Sequence, residues 1–324
     1  MTFIASVIAK KGVAIIADSF VTSELPTLYR SDFNRFLATK IDGEGHDNIN
    51  FSKEDIFELF QYQRSHTKDF EEKLIRFDKY TAITTTGAAA INNKRISDLV
   101  GDFLKQHEEE QLNALPIQEK VNLLCDFVTQ EIITQLQNHE EISTCLFVFT
   151  HFDASDNSTK IYVARVKRTT EDALVEEGYE FINVTTEPDF KKVVTYGQTK
   201  TAEKILYGSL INFMTSGLPS LIRRINESLG KPCDEYTDEF IMQYTQKDEA
   251  IRQMIQDELE LFKLSELSLQ QAVNLASLLM KLEVDFQTYT ENIPTVGGVI
   301  KLAVIDKDGF KFISGHEIQK PKNI

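Results

Sequence analysis

The chain opens Met1-Thr2-Phe3-Ile4-Ala5-Ser6-Val7-Ile8-Ala9-Lys10-Lys11-Gly12-Val13-Ala14-Ile15-Ile16-Ala17-Asp18-Ser19. Thr2 to Ala9 is apolar and β-branched, and Val13 to Ala17 is a second apolar run. Lys10-Lys11-Gly12 between them is turn chemistry, so the stretch reads as a β-hairpin with a short glycine-containing loop. Nothing polar separates Met1 from this hairpin, so the first strand belongs to the buried architecture. A strand that merely starts early accounts for the pattern equally well at this point.

Working outward, the next regular pattern is Lys73-Leu74-Ile75-Arg76-Phe77-Asp78-Lys79-Tyr80, then Thr81-Ala82-Ile83-Thr84-Thr85-Thr86-Gly87. This reads as a second hairpin turning at Asp78-Lys79. Residues from about 23 to 66 are mixed: Leu25-Pro26 marks a turn, residues 42–47 a loop, and Ser52 to Asp55 a cap before a helix at Ile56 to Phe60. Gly87-Ala88-Ala89-Ala90 leads into a helix whose face carries Ile96, Leu99, Val100, Phe103 and Leu104. A polar loop from Glu108 to Asn113 ends at Pro116. The next helix presents Val121, Leu124, Cys125, Val128, Ile132 and Leu136.

Strands return at Thr144–Phe149, Lys160–Val166, about 179–184 and Lys192–Gly197, and Thr201 begins a helix. Residues from about 216 to 264 form a second irregular block, with helical pattern at Ile251–Leu264. Ser268-Leu269-Gln270-Gln271 is a capping box opening a helix with Leu269, Ala272, Val273, Ala276, Leu279 and Met280 on its buried face. Gly297-Gly298, a strand from Val299 to Ile305, a turn at Asp306–Gly309 and a strand from Phe310 to Ser314 follow. The polar tail from His316 reads as frayed. Strands and helices come in blocks, which points to α+β with mainly antiparallel sheets.

Composition bounds the function. The net charge of −15 disfavours a nucleic-acid-binding surface. No apolar run approaches the roughly 18 residues of a membrane helix, and no secretory leader is visible. The expectation is a cytoplasmic protein with no membrane partner. Cys125, Cys145 and Cys233 lack CxxC spacing; the first two read as reduced core residues. His151-Phe152-Asp153 is far short of a metal site, Thr86-Gly87-Ala88 lacks a phosphate-loop lysine, and Glu108 to Glu110 reads as a solvated loop. No cofactor is expected.

One position carries latent chemistry. Removal of Met1 would give Thr2 a free amine beside its hydroxyl, a nucleophile and its base on one residue. In Thr2 to Asp18-Ser19, in Lys73-Leu74-Ile75-Arg76-Phe77-Asp78-Lys79-Tyr80, in Gly87 and in Gly297-Gly298, the chain resembles the proteasome-type β subunits of the N-terminal-nucleophile hydrolases. The resemblance covers about two-thirds of the chain; it is specific in the order and flanks of Thr, Asp, Lys and Gly rather than in any single motif. It implies a four-layer αββα sandwich, one domain over residues 1–324 with insertions at about 23–66 and 216–264. It also implies a threonine-type endopeptidase in which Thr2 is the nucleophile, Asp18 and Lys73 activate it, and the Gly87 N–H stabilises the oxyanion. Val21, Thr22, Ile75, Thr85 and Ala89 would line a mostly apolar substrate pocket.

The chain departs from the family in two helper groups. Gln198 and Thr199 follow Gly197 where a serine is usual, and Ile293 to Val296 stand where the Asp-x-x-Ser is usual. Gln198, Thr199, Thr295 and Asn292 are candidates to replace them. The implied partners are a peptide or protein substrate, further copies of the same chain in a ring-like oligomer, and an ATPase of which the sequence itself shows nothing. Two other readings stand beside the peptidase: a non-catalytic assembly subunit on the same fold, and an amidase acting on a small molecule.

Overall fold

The computed structural model describes residues 2–41, 59–137, 144–168, 179–186, 192–207, 218–230, 264–290 and 294–314. Its first two strands, β1 (Phe3–Ala9) and β2 (Gly12–Ala17), form the expected hairpin, with Ala9 paired to Gly12. Gly12 sits at φ +148°, and a Cβ there would lie 2.5 Å from the Ile305 carbonyl oxygen. No side chain fits at that turn, so glycine is required.

Alternation along this hairpin decides the layering. Phe3, Ala5, Val7, Ala14 and Ile16 enter one core cluster, whereas Ile4, Val13, Ile15 and Ala17 enter another. Successive side chains of a strand point to opposite faces, so both faces of this sheet are buried.

After β3 (Phe20–Thr27), α1 (Arg30–Ile41) and β4 (Gln61–Phe70) come β5 (Leu74–Arg76), β6 (Thr81–Gly87), β7 (Ala90–Ile91) and β8 (Lys94–Arg95). Three helices follow, α2 (Ile96–Lys105), α3 (Glu109–Ala114) and α4 (Ile117–Gln137). Then come β9 (Cys145–Asp153), β10 (Ser158–Arg168), β11 (Tyr179–Thr186), β12 (Val193–Gly197), α5 (Lys200–Tyr207) and α6 (Leu218–Ser228). A 3-10 turn at Leu264–Glu266 precedes α7 (Leu269–Thr290), β13 (Lys301–Asp306) and β14 (Gly309–Ser314).

Two five-stranded sheets result, in the orders β12-β1-β2-β13-β14 and β11-β10-β9-β6-β5. Every pairing in them is antiparallel. One core cluster joins them, with Ile4, Ile15, Val194 and Ala303 from the first sheet and Leu74, Ala82, Val148 and Val163 from the second. The first sheet's other face packs on Ala202 and Leu206 of α5 and Ala272, Ala276, Leu279 and Met280 of α7. The second sheet's other face packs on Leu99, Val100 and Phe103 of α2 and Val121, Leu124, Val128 and Ile132 of α4.

The helices begin where the local chemistry allows. At α7, Ser268 Oγ accepts the Gln271 N–H at 3.3 Å and the Gln271 side-chain oxygen accepts the Ser268 N–H at 2.9 Å, the reciprocal capping box. At α4, the Pro116 carbonyl accepts the Glu119 N–H at 3.0 Å. Cys125 and Cys145 are buried, and burial pushes both thiols up to about 12.

Several local expectations are corrected. Leu25-Pro26 is no turn but lies within β3, paired to β4 as a two-stranded ribbon. A ribbon of two strands has free edges, where a residue without an N–H is tolerated. Ala88 to Ala90 do not open a helix. A small β7–β8 hairpin intervenes, turning at Asn92 and Asn93 with φ +50° and +57°, and α2 begins at Ile96. The Glu108–Asn113 loop is largely the short helix α3, with Glu109 and Glu110 in its first turn, where carboxylates suit the helix dipole. The helix α6 at Leu218–Ser228 falls inside the block read as irregular. Most of the helix expected at Ile56–Phe60, nearly all of that at Ile251–Leu264, Cys233 and the tail from His316 lie outside the described residues.

Candidate functional site

Strand ends gather the site. Thr2 precedes β1, Asp18 follows β2, and Gly197 ends β12, opposite Phe3 in the register. In the second sheet Lys73 precedes β5 and Gly87 ends β6, opposite Cys145. The Lys73–Asp18 ion pair joins the two sheets here. Lys73 Nζ donates to Asp18 Oδ1 at 3.1 Å and also to the Phe20 carbonyl. Thr2, Asp18 and Lys73 are 2%, 1% and 5% exposed, so the pair is closed off from bulk water.

Asp18 is a four-way acceptor. Oδ1 takes the Phe3 N–H at 3.0 Å as well as Lys73, and Oδ2 takes the N–H groups of Phe20 at 3.2 Å and Gly297 at 3.1 Å. Such a donor set suits an ionised carboxylate, which only accepts. Burial pushes the Asp18 carboxyl above its ordinary range, against the downward pull of the Lys73 charge and of the Gly297 and Phe3 N–H groups. Burial lowers Lys73, opposed by Asp18 and then by Glu71.

The glycines around Thr2 and Asp18 have steric reasons. Gly197 has φ +92°, and a Cβ there would stand 1.9 Å from the Thr2 carbonyl oxygen. The same carbonyl accepts the Gln198 N–H at 2.6 Å. Gly87 has φ +98° and would strike the Thr144 carbonyl oxygen at 2.1 Å. Gly298 lets the backbone pass Ser19 Oγ and the Phe20 ring. Ser19 Oγ in turn accepts the Val299 N–H at 2.8 Å.

The remaining sequence-derived residues divide. Val21, Thr22, Ile75 and Ala89 are half-buried and Thr85 is buried. Thr85 N–H donates to the Lys73 carbonyl at 3.1 Å, which holds it beside the pair, and the Ala89 carbonyl accepts the Ile96 N–H at 3.1 Å. Ile75 packs on the helical side of the second sheet. Thr22 Oγ1 is buried with no hydrogen-bond partner among the described residues. Gln198 touches Thr2 through its backbone, and the Thr199 carbonyl accepts the Glu203 N–H at 2.8 Å at the start of α5. Thr295 is wholly buried, and its hydroxyl and N–H both donate to the Gln287 side-chain oxygen, at 3.2 and 2.7 Å. Asn292 lies outside the described residues.

Sequence reasoning missed Glu71. It is 3% exposed, its N–H donates to the Ser19 carbonyl at 3.0 Å, and its Oε1 accepts the Ser97 N–H at 2.8 Å. Its side chain accepts at the start of α2, while Glu72 beside it is exposed.

Among the described residues, no group of three or more His, Cys, Asp and Glu side chains comes together as metal ligands. No helix among them is long and apolar enough to cross a membrane.

No family model matches the chain, and no curated protein matches it. It is similar to a solved structure of an Anbu mutant from Hyphomicrobium sp. strain MC1, at 11% sequence identity, with 99% of this chain and 88% of that chain covered and a TM-score of 0.44.

Proposed function

We propose that the chain is a proteasome-like N-terminal-nucleophile hydrolase, a threonine-type endopeptidase whose nucleophile is Thr2 once the peptide bond before it is cut. The two sheets and the helices on their outer faces are then the four layers of an αββα sandwich forming one domain. The observation that carries the reading is the Asp18–Lys73 pair, 3.1 Å apart and almost wholly buried at the strand end where Thr2 begins.

The chemistry follows from proton accounting. A hydroxyl is a weak nucleophile without a base. An α-amine with an unperturbed pKa of about 7.7–8.0 can accept its proton near neutrality. Thr2 Oγ1 attacks the scissile carbonyl carbon while its proton passes to the amine. Lys73, oriented by Asp18, favours negative charge on the oxygen. The Gly87 N–H donates to the tetrahedral oxyanion, an effect worth about 3 kcal/mol for one donor. Collapse expels the leaving amine, which takes the proton, and leaves an ester on Thr2. Water, deprotonated by the same α-amine, hydrolyses that ester.

The test is an intact-mass measurement of the N-terminus joined to peptide turnover. Thr at the N-terminus, with hydrolysis abolished in Thr2→Ala, is the expected result. Retention of Met1 throughout an active preparation would sink the reading.

One observation favours a non-catalytic assembly subunit on the same fold. The Thr295 hydroxyl, a candidate helper, is turned to Gln287. Labelling with an electrophile directed at N-terminal threonine separates the two, since a scaffold with an intact Thr2 terminus forms no adduct.

A further inference from the structure

We propose that Gln287 is a positioning residue of the Asp18–Lys73 pair: from the buried face of α7 its side-chain oxygen holds Thr295 and Val296, and so sets where the next residue, Gly297, presents its N–H to Asp18. The inference rests on the peptidase reading for its functional meaning, but the first arm of its test needs no turnover.

The contacts run without a gap from the helix to the site. Gln287 Oε1 accepts the Thr295 N–H at 2.7 Å, the Val296 N–H at 2.9 Å and the Thr295 hydroxyl at 3.2 Å. Backbone N–H groups only donate, so the amide must turn its oxygen toward them. Gly297 follows directly, and its N–H donates to Asp18 Oδ2 at 3.1 Å. The Gly297 carbonyl accepts the Ser19 and Phe20 N–H groups at 3.1 and 3.2 Å. The Phe20 carbonyl in turn accepts Lys73 Nζ. A Cβ at Gly297 would stand 2.7 Å from the Phe20 ring, so the backbone there lies hard against the site.

Gln287 is a fixed point. It is 4% exposed, and Thr295 is wholly buried. One turn earlier on the same face of α7, buried Glu283 accepts the Thr201 and Ala202 N–H groups at 2.9 and 2.7 Å, at the start of α5. Ala276, Leu279 and Met280 seat the helix in the core beneath the first sheet. The helix is therefore not free to follow a displaced segment. Residues 295–297 hang between two supports, Gln287 on one side and Asp18 on the other. Without the Gln287 oxygen two buried N–H groups are orphaned, and the segment must move to satisfy them. Gly297 moves with it.

The experiment is amide hydrogen exchange of the full chain by NMR, in wild type, Gln287→Met and Gln287→Glu. Methionine keeps the length of the side chain and removes the acceptor. Protection of the Gly297 amide is expected to fall at least about tenfold further in Gln287→Met than that of the β2 amides, which report the stability of the core. Gln287→Glu keeps an acceptor oxygen and should hold Gly297 within about threefold of wild type. Peptide kcat should fall about tenfold or more in Gln287→Met with KM held, and recover in Gln287→Glu. If Gln287→Met does not fold, Gln287→Asn, which draws the oxygen back by one methylene, is read in the same way. Gly297 protection that merely follows the β2 amides, or an equal loss in Gln287→Glu, overturns the proposal and leaves Gln287 as an anchor of the end of α7. So does an unchanged kcat in an active enzyme. A wild-type chain that turns over no peptide, while its variants show the Gly297 response, rejects the peptidase reading alone.

Discussion

Lys73 Nζ lies 3.1 Å from Asp18 Oδ1, and this ion pair joins the end of one sheet to the end of the other. A buried pair need not stabilise a fold, because both charges are desolvated, but breaking it strands one of them. Lys73→Met and Asp18→Asn should each cost about 3–5 kcal/mol in urea unfolding. The double variant should cost clearly less than their sum. Additive losses would mean that the pair is not coupled.

Gly197 allows the chain to reach the Thr2 carbonyl. Gly197→Ala combines a left-handed backbone with a Cβ 1.9 Å from that oxygen. A loss of at least about 2 kcal/mol is expected, together with a shift of the Thr2 amide resonance. A fully stable Gly197→Ala protein with Thr2 undisturbed would contradict the geometry.

His151 makes stability depend on pH. Its Nδ1 and Thr81 Oγ1 are 2.9 Å apart, and Thr81 also donates to Asp78 Oδ2 at 3.1 Å, beside the buried Lys120–Asp78 pair. Burial, then the Lys120 charge, lowers the imidazole below its ordinary value of 6.5. The unfolded chain thus binds the proton more readily, so this contribution is complete above about pH 6.5 and is lost as pH falls through the folded value. Glu71 and Glu283, both raised by burial, act with the opposite sign. The informative quantity is therefore a difference: between pH 7.5 and 5.5 wild type should lose more stability than His151→Asn, as read from urea midpoints. Equal losses would remove His151 from the account.

Thr22 carries a buried hydroxyl that meets no partner among the described residues. Removing an unsatisfied group of the same shape is close to neutral or stabilising. Thr22→Val should hold the urea midpoint or raise it, by up to about 1 kcal/mol. If the hydroxyl serves the substrate, the peptide KM rises while kcat holds. A destabilised Thr22→Val protein would show that the hydroxyl already has a partner.

What could be read from sequence followed how local the signal was. The first hairpin, the helix faces and the Ser268–Gln271 capping box depend on neighbours a few residues apart, and they stand in the structure as expected. Asp18 and Lys73 were also legible as candidates, because their flanking strands are regular. Glu71 was not: its partners are Ser19 and Ser97, each tens of residues away. The β3–β4 ribbon was hidden because Pro26 reads locally as a turn and only its pairing with Tyr62 makes it strand. Gln198 was singled out for its side chain, and its backbone N–H also reaches Thr2, a contact that local sequence does not show.

The Gly297 N–H on Asp18 spans 279 residues of sequence, and β13 is the strand that borders β2 on its open side. On the ribosome, Asp18 lacks this donor and β2 lacks its neighbour until the chain has been made through Gly297 and β13. Synthesis thus acts as a timer. Thr2 is made long before Gly297, so the surroundings of Thr2 are completed only once that distant segment has been made.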